Sequence, residues 1–212
     1  MGYVAAEWHL CVVAALGTGA GTTAADAVAP RKPDRAALAA AYGRTIPDLI
    51  APDLSVLFCG VNPGLWSAAV GQHFGRPGNR FWPALHRGGL TPRQLRPDEQ
   101  AEMIGYGYGI TNLVRRATAK ADELTPDEIV AGRRTLAAKV RRHRPAWLAV
   151  LGFGAYRTAF GNRLAGVGPQ PERIGSTRIW LLPNPSGLNA HFQLDQLAHE
   201  FANLHHAATN HS

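Results

Sequence analysis

Apolar positions come in short runs separated by polar, glycine- and proline-marked stretches. Val56-Leu57-Phe58-Cys59, Trp147-Leu148-Ala149-Val150-Leu151 and Ile179-Trp180-Leu181-Leu182 have the length and continuity of buried strands. Tyr108 to Val114 reads as a further strand with its exit loop. Helical spacing fills the intervals. Asp34 is placed to cap a short helix through Ala41, and Asn79 to His86 puts Phe81, Trp82 and Leu85 on one inward face. Residues 91–104 read as helical. Thr125-Pro126-Asp127-Glu128 opens a helix that runs to about His143, with an acidic first turn that complements the helix dipole. Gly152-Phe153-Gly154 starts another helix, and Asp195 to about His206 forms the last. Strands alternating with helices predict an α/β fold: a three-layer α/β/α sandwich with a short, mostly parallel central sheet.

Two strand ends carry similar turns. The first strand empties into Gly60-Val61-Asn62-Pro63-Gly64-Leu65, followed by a polar, glycine-containing loop that ends in Gly75-Arg76-Pro77-Gly78-Asn79-Arg80-Phe81-Trp82. The strand at Ile179–Leu182 empties into Pro183-Asn184-Pro185-Ser186-Gly187-Leu188. Open α/β sheets bind ligands at such strand C-terminal ends, so the two Asn-Pro steps are expected to face one cleft.

Charge narrows the partner. The 212 residues hold 22 Lys and Arg against 15 Asp and Glu, a net +7, which favours a polyanion. Residues 1–33 fit the globular pattern poorly and are read as a flexible extension ahead of a domain spanning 34–212. The apolar run Leu10 to Leu16 resembles a signal peptide, but no Lys or Arg precedes it, and glycines interrupt it well short of the roughly 20 residues a spanning helix needs. Cys59 is read as a small core residue. Gly152 and Gly154 match a dinucleotide fingerprint too loosely to carry weight. His73 and the other histidines are read as surface or loop residues, with no metal-ligand spacing.

The paired turns, with Pro77 to Trp82 and Ile174 to Trp180 between them, resemble the mismatch-specific uracil-DNA and thymine-DNA glycosylases, over about residues 46–205. Two cysteines cannot ligate a four-cysteine cluster, so the iron–sulfur branch of that superfamily is excluded. The resemblance implies a monofunctional glycosylase that flips uracil out of double-stranded DNA and hydrolyses its N-glycosidic bond, initiating base-excision repair. Related damaged or mispaired pyrimidines, in G·U or G·T pairs, are further candidates. The implied partner is a duplex containing uracil or a mispaired pyrimidine, with no membrane. No metal or cofactor is expected, and the protein is expected to be a cytoplasmic, nucleoid-associated monomer.

Roles follow residue by residue. Asn62 is expected to order the attacking water; read alone, it is a turn residue. Asn184 matches a position where fast uracil glycosylases carry a histidine, so slow chemistry is expected. Phe74 is expected to stack on the extruded base, the alternative being a plug for the core. Ser67 sits beside the water, and backbone N–H groups near Gly64 and Phe74 are suited to a developing anion. Ser186 is a candidate phosphate contact. Gly187 lets the backbone approach the opposite base, and Leu188 is the intercalating wedge. Asn189 and Ala190 stand where relatives place a serine and an arginine, which weakens the expected opposite-guanine contact. Arg76, Arg80, Arg115, Arg116 and Arg178 are the candidate backbone-tracking charges, whereas the arginines of the 125–143 helix are read as a solvated face. Two rival readings remain: a lesion-binding protein with little turnover, and an α/β enzyme of free nucleosides.

Overall fold

The computed structural model describes residues 32–210; the extension expected over 1–33 lies, but for Lys32 and Pro33, outside them. The sheet has five strands: β1 (Val56–Gly60), β2 (Tyr108–Asn112), β3 (Trp147–Leu151), β4 (Gly168–Ile174) and β5 (Thr177–Leu182). Their order is β2-β1-β3-β5-β4, and every pair is parallel except β4 with β5. The helices are α1 (Arg35–Ala40), α2 (Leu65–Val70), α3 (Phe81–Arg87), α4 (Pro126–His143), α5 (Phe153–Phe160) and α6 (Leu194–Thr209).

Alternation along the strands sends side chains to two cores. Val56, Phe58, Ile110, Ala149 and Leu182 face Phe81, Trp82, Leu85 and Phe201 of α3 and α6. Leu57, Cys59, Leu148, Val150 and Leu181 face Leu136 and Val140 of α4 and Tyr156 of α5. The three-layer α/β/α sandwich with a mostly parallel sheet is the architecture found. Cys59 is fully buried in β1, and burial pushes its thiol up to about 12, as befits a packing residue.

Several local expectations need correcting. Residues 65–70 form α2 rather than continuing a loop, ended by Gly71 in the left-handed conformation. The helix expected over 91–104 is a 3₁₀ segment from Pro97 to Tyr106; Pro97, lacking an N–H, fits at a helix start and not inside one. β4 was not anticipated. Its Gly-Pro-Gln-Pro opening has no apolar run, and an edge strand tolerates prolines that a central one rejects. Among the described residues no helix is long and apolar enough to cross a membrane.

Candidate active site

Because α4 carries the chain from β2 across β1 to β3, the direction of strand order reverses between β1 and β3, where doubly wound folds open a crevice. A cleft of about 460 Å³ occupies it, lined by the ends of β1, β2 and β3 and by the turn after β5. Asn62, Gly64, Ser67, Phe74, Asn184, Ser186 and Leu188 all line it. The two Asn-Pro turns do face one another.

The Asn62 side chain has a determined orientation. Its Nδ2 donates to the Arg116 carbonyl at 3.0 Å and to Thr118 Oγ1 at 2.7 Å. A carbonyl can only accept, and Thr118 Oγ1 spends its own proton on the Lys120 carbonyl at 2.6 Å. The amide nitrogen must therefore face residues 116–118, and Oδ1 is left without a protein donor among the described residues. Asn184 has the opposite polarity. Its Oδ1 accepts from the Ser186 N–H at 3.0 Å, so its free end is the Nδ2 donor. The cleft thus holds one amide offered as acceptor and one as donor.

A further amide went unnoticed in the sequence. Asn112, at the end of β2 and paired there with Gly60, is buried and lines the cleft, and its side-chain amide makes no hydrogen bond to protein among the described residues. Gly60 explains how it fits: a Cβ there would lie 2.7 Å from Asn112 Oδ1. A buried polar residue at a strand C-terminus was the available signal.

Phe74 takes a left-handed φ of 52°, unusual for a side chain that is not glycine, asparagine or aspartate. Both neighbours are clamped. Gly75 N–H donates to Ser67 Oγ at 3.1 Å, while His73 donates its N–H to Gln100 and accepts Trp82 Nε1–H on its carbonyl. One face of the Phe74 ring stacks on Phe81, with centroids 4.1 Å apart, so what it offers the cleft is its uncovered side. The ring is at once packed on the core and exposed to the cleft. His73 is not a surface residue: it is buried, its Nε2 lies 3.0 Å from the Pro47 carbonyl, and burial lowers its pKa.

The loop after β5 is braced from the Gly78–Arg80 side. Arg80 donates its N–H to the Pro185 carbonyl and its guanidinium to the carbonyls of Gly187, Asn189 and Phe192. Three of its five guanidinium N–H groups thus hold the protein's own loop, a bracing role beside the backbone-tracking charge anticipated. Gly187 makes its close approach to Gly78. Ser186 Oγ accepts from Leu188 N–H at 3.3 Å. Asn189 turns inward, donating to the Asn184 carbonyl and accepting from His191 N–H, so its side chain serves the loop itself. Leu188 projects from this frame 77% exposed.

Of the remaining arginines, Arg76 lines the cleft and Arg115 is exposed. Arg116 forms a two-pronged ion pair with Glu128 at the start of α4, which holds that carboxylate down to about 2. Arg178 lies over the Trp147 ring, where the parallel strands begin, at the wrong end of the sheet for the cleft.

Fold and cleft together define a doubly wound α/β domain whose crevice is lined by the amides of Asn62, Asn112 and Asn184, with an exposed apolar tip, Leu188, at its rim. Residues 47–205 match the model of the uracil DNA glycosylase superfamily, and the chain belongs to that superfamily. Membership implies a DNA glycosylase, a hydrolase of N-glycosyl bonds with DNA as its partner.

Proposed function

We propose that the protein removes uracil, first of all uracil mispaired with guanine, from double-stranded DNA by direct attack of water. The observation that carries this is the amide orientation of Asn62, which leaves an acceptor, not a donor, for a water in the cleft. The flipped uracil stacks on Phe74 while Leu188 fills the space it leaves. Water held by Asn62 Oδ1 attacks C1′. The new C1′–O bond replaces the C1′–N1 bond, whose electron pair departs with the base, and the water's proton passes to solvent. Asn184 Nδ2 donates to the base oxygen as negative charge builds. Asn112 offers its amide to the base's polar edge. The group that holds the water in this reading, Asn62, is an amide and a weak base, so turnover is slow, and the product is an abasic site with an intact strand.

The test is single-turnover excision from a labelled duplex holding one G·U pair. Asn62→Ala is expected to slow it a hundredfold or more (roughly 2.7 kcal/mol of barrier) with duplex affinity retained, and only alkali should break the product strand. Binding without base release by either protein would favour a lesion-binding role instead. A mutant as fast as the wild type would reduce Asn62 to a turn residue.

A further inference from the structure

A cluster of unpaired positive charge lies away from the cleft. Arg133, Arg134 and Arg141 of α4 converge with Arg173 of β4 on one groove of about 350 Å³, floored by Val130, Ala137 and Ile174. All four arginines are exposed, and none is in an ion pair among the described residues. The nearby carboxylate of Glu172 accepts from Tyr156 OH and Asn162 Nδ2 and feels the charge of Arg133 without forming an ion pair with it, while Arg133 rests over the Phe160 ring.

Other exposed arginines differ among themselves: Arg44, Arg115, Arg142 and Arg163 also lack an ion pair among the described residues but do not line this groove. Arg87, Arg93, Arg96 and Arg144 each meet a carboxylate. Four guanidinium groups brought together from two elements, none of them in an ion pair among the described residues, repel one another, and such crowding is relieved by an anionic ligand. The cleft by contrast is lined by Arg76 and Lys120 together with Asp122.

Position separates the two surfaces. α4 begins beside the cleft, where Glu128 holds Arg116, and ends beside Asp53, just ahead of β1, where the His143 carbonyl accepts the Asp53 N–H. Arg141 lies about 20 Å further along that helix than Glu128, at 1.5 Å per residue. Arg173 pairs with Arg178 at the start of β5. The groove therefore opens toward the end of the sheet opposite the cleft.

We propose that this groove is a second phosphodiester-binding surface, which holds a duplex segment separate from the one entering the cleft. Arginines match phosphate oxygens in pairs. The spacing from Arg134 to Arg141, about 10 Å along the helix, spans about three phosphates at 3.4 Å rise per strand. No aromatic ring stands free in the groove to stack unpaired bases, which favours a duplex backbone over a single strand.

The test uses uracil-free 20-base-pair duplexes, some with a donor dye and some with an acceptor. Wild-type protein is expected to bring two duplexes together and give energy transfer. The triple variant Arg134→Gln, Arg141→Gln, Arg173→Gln is expected to lose that transfer, bind a single duplex at least tenfold more weakly, and show a salt dependence shallower by about three counter-ions. The corresponding triple Lys variant should retain most of the transfer, and saturating single-turnover excision should be unchanged. Duplex binding and bridging by the Gln variant equal to the wild type would overturn the proposal, leaving the groove to an acidic protein or to solvent. If wild type excises nothing while the Gln variant still loses affinity, the glycosylase reading fails and the groove stands.

Discussion

Gly187 lies so close to Gly78 that a Cβ on it would sit 2.5 Å from the Gly78 carbonyl oxygen. The obstacle is backbone, so the strain cannot be relieved by turning a side chain. Gly187→Ala must push apart the two segments that Arg80 ties together, and overpacking of this kind costs about 1–3 kcal/mol. The displaced element carries Leu188. Excision from a G·U duplex is expected to fall at least tenfold, with a lowered melting temperature and unchanged far-ultraviolet circular dichroism. Full activity in this variant would mean that the tip does not need its present position.

Phe74 holds a strained backbone between two clamped neighbours, and its ring has one face on Phe81. Stacking on a base contributes about 1–3 kcal/mol, so Phe74→Ala should slow single-turnover excision by about tenfold or more. Affinity for a uracil-free duplex, which places no base in the cleft, should stay within about threefold. Equal losses in both assays would show that the ring only plugs the core.

The parts of this site that the sequence displays are those whose chemistry is local. Asn62-Pro63-Gly64 and Ser186-Gly187-Leu188 are turns, and a turn's residues declare themselves by backbone demands within a few positions. Thr118 was not visible, because its contact with Asn62 joins residues 56 positions apart and depends on how the segment after β2 folds back. Asn112 reads in the sequence as one more polar residue at the end of a strand, because the room that Gly60 leaves for it comes from a neighbouring strand. Arg80 and Arg178 carried the same expected role, and only the sheet's direction separates them: one braces the cleft loop, and the other sits where the strands begin. β4 escaped because its two prolines obscure strand character that an edge position permits.

The Arg116–Glu128 pair sets a pH dependence. Glu128 titrates at about 2 in the folded protein, against an ordinary 4.5, chiefly through its hydrogen bonds with Arg116. A carboxyl whose pKa is depressed by folding stabilises the fold above the unfolded value and loses that contribution as pH falls toward the folded one. Melting curves of wild type and Glu128→Gln should therefore be separated by a constant interval above about pH 5.5, converging as the pH drops below 4.5. Because the Arg116 carbonyl holds Asn62, the variant should also excise more slowly, by a factor that does not change between neutral and mildly alkaline pH. An interval between the melting curves that widened on acidification would contradict the assignment.

Thr118 permits the sharpest test of how Asn62 is set. Its hydroxyl accepts from Asn62 Nδ2 and donates to the Lys120 carbonyl, so the direction of both bonds is determined by the one group that can only accept. Thr118→Val keeps the shape and removes the acceptor, leaving an amide hydrogen unpaired and the Asn62 side chain freer to rotate. One hydrogen bond of this kind contributes about 1 kcal/mol, and the misaligned water adds to the loss. Single-turnover excision should slow by about tenfold, ~1.4 kcal/mol of barrier, with duplex affinity unchanged. Thr118→Ser restores the hydroxyl without the methyl group and should recover most of the rate. If Val and Ser variants are equally slow, Thr118 acts through packing. If both match the wild type, the Arg116 carbonyl alone is enough to orient the amide.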